Sequence, residues 1–175
     1  VGVLPLQLAE TEVDFYAFTG HKWWCGPEGL GGLYVSPKVR ESLIPTFIGL
    51  GSILRDKVDQ IIGWKPDGRR YEVSTSAYPL YSGLRQAISL HNQWGNAIER
   101  YDRIQRLSKY LWDNLIKIPE VKCLSTSPPE AGLVSFQLTN GKSHQELVNF
   151  LENQDIMVRT IINPDCVRAS IHYFS

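Results

Sequence analysis

The sequence predicts an α/β fold, and three features of it do so. Short apolar runs at residues 1–6, 14–19 and 31–35 carry hydrophobic side chains on both faces, as the strands of a covered sheet do. Residues 80–98 and 104–116 place apolar side chains at helical spacing. Beyond residue 120, short strand-like runs flank a single capped helical segment, which reads as a separate α+β layer.

Taken in order, the opening runs give three strands at the edge or end of a sheet. Ser36-Pro37 then suits the start of a short helix to about residue 44, with the proline in the first turn. Residues 45–76 dissolve into glycine, proline and charge, and loops of this length inside compact domains are usually functional. Leu80, Leu84, Ala87, Ile88, Leu90 and Trp94 define one helical face, and Leu107, Leu111 and Leu115 another. They belong to two helices, or to one long helix broken near Gly95.

Ile118-Pro119 ends that stretch, and residues 121–124 and 132–138 read as strands. Ser143 with Glu146 three residues on forms a capping box ahead of Leu147, Val148 and Leu151. Residues 156–159 and 167–173 close the chain as strands. The expected organisation is residues 1–100 as part of a large domain and residues 101–175 as part of a small α+β domain.

Composition narrows the function classes. The chain has 175 residues, 43% of them hydrophobic, with 18 basic and 18 acidic side chains, which suits a soluble globular protein. Clustered Lys and Arg for a nucleic-acid surface are missing, since Arg69-Arg70 is too short a patch. No apolar run spans a bilayer and no basic-flanked leader is present, so the expected setting is cytoplasmic, without membrane partners. Cys25, Cys123 and Cys166 are odd in number and show no metal-ligand spacing, so no metal is expected. The first run starts without a methionine and the last is hardly finished, so the chain reads as a piece of a longer polypeptide.

The clearest clue to chemistry is Gly20-His21-Lys22-Trp23, at the end of the run Asp14-Phe15-Tyr16-Ala17-Phe18-Thr19 and before the glycine-rich Gly26-Pro27-Glu28-Gly29-Leu30-Gly31-Gly32. A lysine at the mouth of a buried strand is desolvated, which favours the neutral amine needed for Schiff-base chemistry. An ordinary solvated lysine is the alternative. Thr19, Gly20 and His21 offer a hydroxyl, an amide and an imidazole to a phosphate, beside an amine that attacks an aldehyde. Phosphate plus Schiff base is what pyridoxal phosphate demands of a protein. On the residues alone, the alternative that Thr19 and His21 only satisfy backbone groups at a turn stands ahead of it.

These same residues, from Asp14 through Lys22 with Gly26-Pro27 and Gly29-Leu30-Gly31 behind them, resemble the lysine signature of the class V pyridoxal-phosphate superfamily, the cysteine desulfurases and selenocysteine lyases. The resemblance implies fold type I, with Lys22 as the cofactor lysine and proton shuttle and Thr19 and His21 at the cofactor phosphate. Arg70-Tyr71-Glu72-Val73-Ser74-Thr75 is similar to the family's Arg-Phe-Glu-x-Gly-Thr segment, except that Ser74 replaces glycine. By that likeness Thr75 reaches the cofactor phosphate of the other subunit in a homodimer. Val158-Arg159-Thr160 and Val167-Arg168-Ala169-Ser170 resemble the family's two arginine segments, which implies Arg168 at the substrate α-carboxylate and Arg159 as a second substrate contact. A guanidinium suits that role because its planar fork matches a carboxylate.

Between the two arginine segments, desulfurases carry a nucleophilic cysteine on a mobile loop. Here only Thr160-Ile161-Ile162-Asn163-Pro164-Asp165-Cys166-Val167 intervenes, and Cys166 reads as structural. The resemblance is closest to the cyanobacterial L-cysteine/L-cystine C-S lyases. It implies β-elimination on cystine or cysteine, giving pyruvate, ammonia and a persulfide or sulfide for iron-sulfur cluster assembly. A desulfurase or selenocysteine lyase using Cys166 and forming alanine, and a non-catalytic dimerisation module of the same fold, are the alternatives.

Overall fold

The computed structural model describes residues 2–175, whose contacts divide into two compact units. Leu6–His91 make the first, while Asn92–Ser175 with Gly2–Pro5 make the second.

In the first unit β1 (Phe15–Thr19) pairs antiparallel with β2 (Gly31–Val35), in a register that sets Tyr16 opposite Tyr34 and Thr19 opposite Gly31. Beyond β2, the Ser36 amide donates to the Asp14 carbonyl at 2.9 Å and its hydroxyl to the Asp14 carboxylate at 3.0 Å. Covering on both faces is not observed. Tyr16 and Phe18 are half-buried, whereas Phe15 and Leu33 remain exposed.

Residues 2–6 form no strand, contrary to the sequence expectation, and Val1 lies outside the described residues. Gly2 sits at φ 89° and Pro5 has no N–H to donate, so the segment cannot hold a ladder. The helix expected to reach residue 44 is the single turn α1 (Pro37–Arg40). Pro45 explains the early stop, since it disfavours a helical residue 44 and donates no hydrogen bond.

The stretch expected to be loop contains an antiparallel hairpin of β3 (Ile53–Arg55) and β4 (Ile61–Trp64), irregular between Leu54 and Arg55. Its turn is built by Asp56, whose carboxylate accepts from the amides of Val58 (2.9 Å) and Gln60 (2.8 Å). A short 3₁₀ turn, Gly68–Tyr71, follows. Its cap is Asp67, whose carboxyl is held down at about 2, first by the hydrogen bond from Arg69. The helix α2 (Tyr78–Trp94) completes the unit with its part up to His91.

Two helices form rather than one. Gly95 and Asn96 interrupt the spiral, and Asn96 caps α3 (Ala97–Leu115) by accepting from the amides of Ile98 (2.9 Å) and Glu99 (3.0 Å), while Glu99 accepts from the Asn96 amide at 2.8 Å. Asn96→Ala removes both caps and is expected to destabilise the protein by about 1 kcal/mol, read as a lower urea midpoint at unchanged slope.

The second unit's sheet is β5 (Val121–Cys123), β6 (Leu133–Leu138), β8 (Cys166–Ser170) and β7 (Arg159–Ile161) in that spatial order, all antiparallel. α4 (His144–Glu152) starts at Ser143, whose hydroxyl oxygen accepts from the Glu146 amide. Strand periodicity sends Val134, Phe136, Val167 and Ala169 into one core with Leu115 and Val148. Ser135 and Arg168 are therefore left on the opposite face. β7 begins three residues later than the run that predicts it, because Asp155 turns the chain at φ 60° after α4 and residues 156–158 only lead in. No helix among the described residues is long and apolar enough to cross a membrane.

Candidate active site

Thr19, His21 and Lys22 lie where β1 runs out into the loop back to β2. The loop is tied at its base, where the Gly20 amide donates to the Leu30 carbonyl (2.8 Å) and the Gly26 amide to the Gly20 carbonyl (2.9 Å). At its tip the Cys25 amide donates to the Lys22 carbonyl at 3.0 Å, closing a tight turn. Lys22 is exposed. The desolvated amine expected from the sequence is therefore not observed, and the solvated alternative is what the described residues show.

His21 is half-buried and its Nδ1 is enclosed without a hydrogen-bond partner. A buried ring nitrogen left unsatisfied is costly, which marks it as a position for a ligand's polar atom. The Thr19 hydroxyl is exposed and makes no hydrogen bond among the described residues.

Helix α2 supports this loop from beneath. A Cβ on Gly26 would lie 2.7 Å from Leu84 Cδ1, so only glycine lets the loop approach the helix there. One helical repeat of seven beyond Leu84, His91 is buried, with Nε2 3.0 Å from the Trp24 carbonyl and its ring edge-on to Trp24 at 5.3 Å. The carbonyl can only accept, so Nε2 carries the proton. The sequence reading missed His91, although its place on the Leu84 face was legible in the helical spacing.

Thr75 belongs to the same unit, on an extended segment between the 3₁₀ turn and α2, and is exposed with Ser74. Arg159 and Arg168 belong to the second unit, where they are directly opposite each other in the β7–β8 ladder. Like charges so paired repel. Neither side chain makes an ion pair or hydrogen bond among the described residues, and the enclosed Arg168 Nε has no partner. An anion between the two guanidinium groups would satisfy both.

Cys166 is 2% exposed and paired within β8 on the Arg168 side. Burial pushes its thiol up, Asp165 adds to this, and Arg168 opposes it, so the unreactive protonated form is favoured. Asp165 is itself anchored, its carboxylate 2.9 Å from His144 Nδ1 while His144 Nε2 accepts from the Leu138 amide at 3.0 Å. Alkylation near pH 7.5 is expected to modify the exposed Cys25 while sparing Cys166, as read by mass spectrometry. A thiol raised by folding contributes stability that is complete below its ordinary value of about 8.5 and is lost as pH rises through the folded value; Cys166→Ala should therefore lessen the alkaline loss.

Comparison with known proteins gives one family throughout. The family model described as aminotransferase class-V matches residues 1–174. Two solved structures of C-DES are each 48% identical and cover 98% of this chain and 45% of theirs: a variant with glycine covalently linked to the PLP cofactor (TM-score 0.89), and the cystine C-S lyase with its reaction product cysteine persulfide (TM-score 0.88). A cysteine desulfurase of Escherichia coli O127:H6 is 31% identical over 158 residues, 89% of this chain and 37% of the relative. The chain thus spans less than half the length of these relatives, and its fold is that of their matching part.

Proposed function

Because this chain belongs to the class V aminotransferase family, we propose that it contributes the lysine and the phosphate- and carboxylate-binding groups of a cytoplasmic pyridoxal-phosphate-dependent carbon-sulfur lyase. The substrate is cystine or cysteine. With cystine and one water, the products are pyruvate, ammonia and cysteine persulfide, a sulfur donor suited to iron-sulfur cluster assembly.

The residues fit the cofactor. His21 Nδ1 is an enclosed atom in want of a partner, the neighbouring Thr19 hydroxyl is open, and both suit phosphate oxygens. Thr75 would supply a further hydroxyl, to the other subunit of a homodimer. When bound, pyridoxal phosphate supplies an aldehyde for an amine and a ring that withdraws electrons from the substrate α-carbon. Lys22 provides that amine and then, at Nζ, holds the proton taken from the α-carbon. Arg168, with Arg159 opposite it in the ladder, is the group suited to bind the α-carboxylate.

The observation that carries elimination, rather than sulfur transfer to the protein, is Cys166. Held in a paired strand at 2% exposure, it has neither the thiolate character nor the freedom of an attacking nucleophile. Desulfurase relatives favour the second reading, in which Cys166 takes the sulfur and alanine is formed. Borohydride reduction in the presence of pyridoxal phosphate tests the premise common to both. A pyridoxyl group on the Lys22 peptide is expected; its absence would leave only a non-catalytic module of this fold.

A further inference from the structure

We infer that the turn at residues 49–52 and the guanidinium of Arg70 are positioning elements that fix Thr75 for phosphate binding, an inference that rests on the reading of Thr75 given above. The chain leading to Thr75 has no regular structure, yet it is pressed against that turn. A Cβ on Gly49 would fall 1.6 Å from the Val73 carbonyl oxygen and 2.6 Å from its carbon, and one on Gly51 would fall 2.8 Å from the Glu72 oxygen. Only glycine allows backbone to meet backbone this closely. Residues 72 and 73 are thus seated three and two positions ahead of Thr75.

The turn beneath them is rigid. Ser52 is wholly buried, and its hydroxyl donates to the Gly49 carbonyl and accepts from the Gly49 amide, both at 2.8 Å. The Ser52 carbonyl accepts from the Lys65 amide at 2.9 Å, continuing the tie toward the 3₁₀ turn.

Arg70 locks the other side. It is buried, with Nε donating to the Lys65 carbonyl at 2.9 Å and a terminal nitrogen donating to the Arg40 carbonyl. Both partners are neutral backbone groups, and no carboxylate meets it among the described residues. A buried charge devoted to two carbonyls fixes chain path rather than binding a ligand. The Thr75 hydroxyl is left exposed and unpartnered at the end of this clamp.

The test compares dissociation constants of pyridoxal and pyridoxal phosphate on the intact protein, since the ratio of the first to the second isolates the phosphate contacts. Thr75→Ala is expected to lower the ratio about tenfold, as loss of a hydrogen bond to a charged group does. Gly49→Ala should lower it equally, with pyridoxal affinity unchanged and no further loss in the double variant. Arg70→Lys, which keeps the charge and one donor, should fall about threefold and serves if Gly49→Ala does not fold. A Gly49→Ala or Arg70→Lys protein that keeps the wild-type ratio while Thr75→Ala loses it overturns the positioning role alone. A Thr75→Ala protein that keeps the ratio overturns the phosphate assignment and the inference together.

Discussion

Replacing Lys22 with alanine is expected to lower kcat by at least about ten-thousandfold, because the proton-transfer group is lost together with the amine that holds the cofactor. The effect should be confined to chemistry. Lys22 is exposed and makes no ion pair among the described residues, so the thermal midpoint of the cofactor-free protein should stay within about a degree of wild type. Cofactor should still bind through its phosphate, held by Thr19 and His21, without becoming fixed by borohydride. A small primary amine such as ethylamine should restore part of the rate. A variant that keeps more than a tenth of wild-type kcat would remove Lys22 from the mechanism.

The second large effect belongs to Arg168. Arg168→Gln should reduce kcat/KM about a hundredfold or more, mostly through KM, since two charge-assisted bonds to the substrate carboxylate are lost. Arg168→Lys keeps the charge but not the fork, and should recover only part of this. Arg159 separates binding from stability. Because it faces Arg168 across the ladder, Arg159→Gln relieves repulsion and should slightly raise thermal stability while weakening substrate binding about fivefold. Unchanged KM in Arg168→Gln would show that the paired arginines serve another anion.

The sequence was most legible where local chemistry dictates local structure. Aromatic and β-branched residues made β1, the Gly20–Gly32 region its return loop, and Asn96 and Ser143 the starts of α3 and α4. Long-range fit was less legible. The β3–β4 hairpin escaped because its strands have only three and four residues and its turn depends on Asp56 and on Asp59 at φ 67°. Residues 2–6 have the apolar composition of a strand, but a positive φ at Gly2 and the proline at 5 deny them a partner.

Within the candidate site the motif residues were readable, and what holds them was not. Lys22 fell in the expected loop but is exposed rather than desolvated, since burial depends on what lies opposite the loop. His91 and Gly26 support that loop through contacts spanning more than fifty residues of sequence, and Gly49 meets Val73 through backbone alone. Spacing within one segment carries no record of such approaches. The opposition of Arg159 and Arg168 likewise depends on the strand register, which the eight residues between them leave open.

The most direct test of carbon-sulfur elimination is the product balance of the intact enzyme with cystine, measured in wild type and in Cys166→Ala. Both proteins should form one pyruvate and one ammonia for each cystine consumed, with the sulfur recovered as cysteine persulfide. Alanine as the main carbon product, abolished by Cys166→Ala, would contradict it.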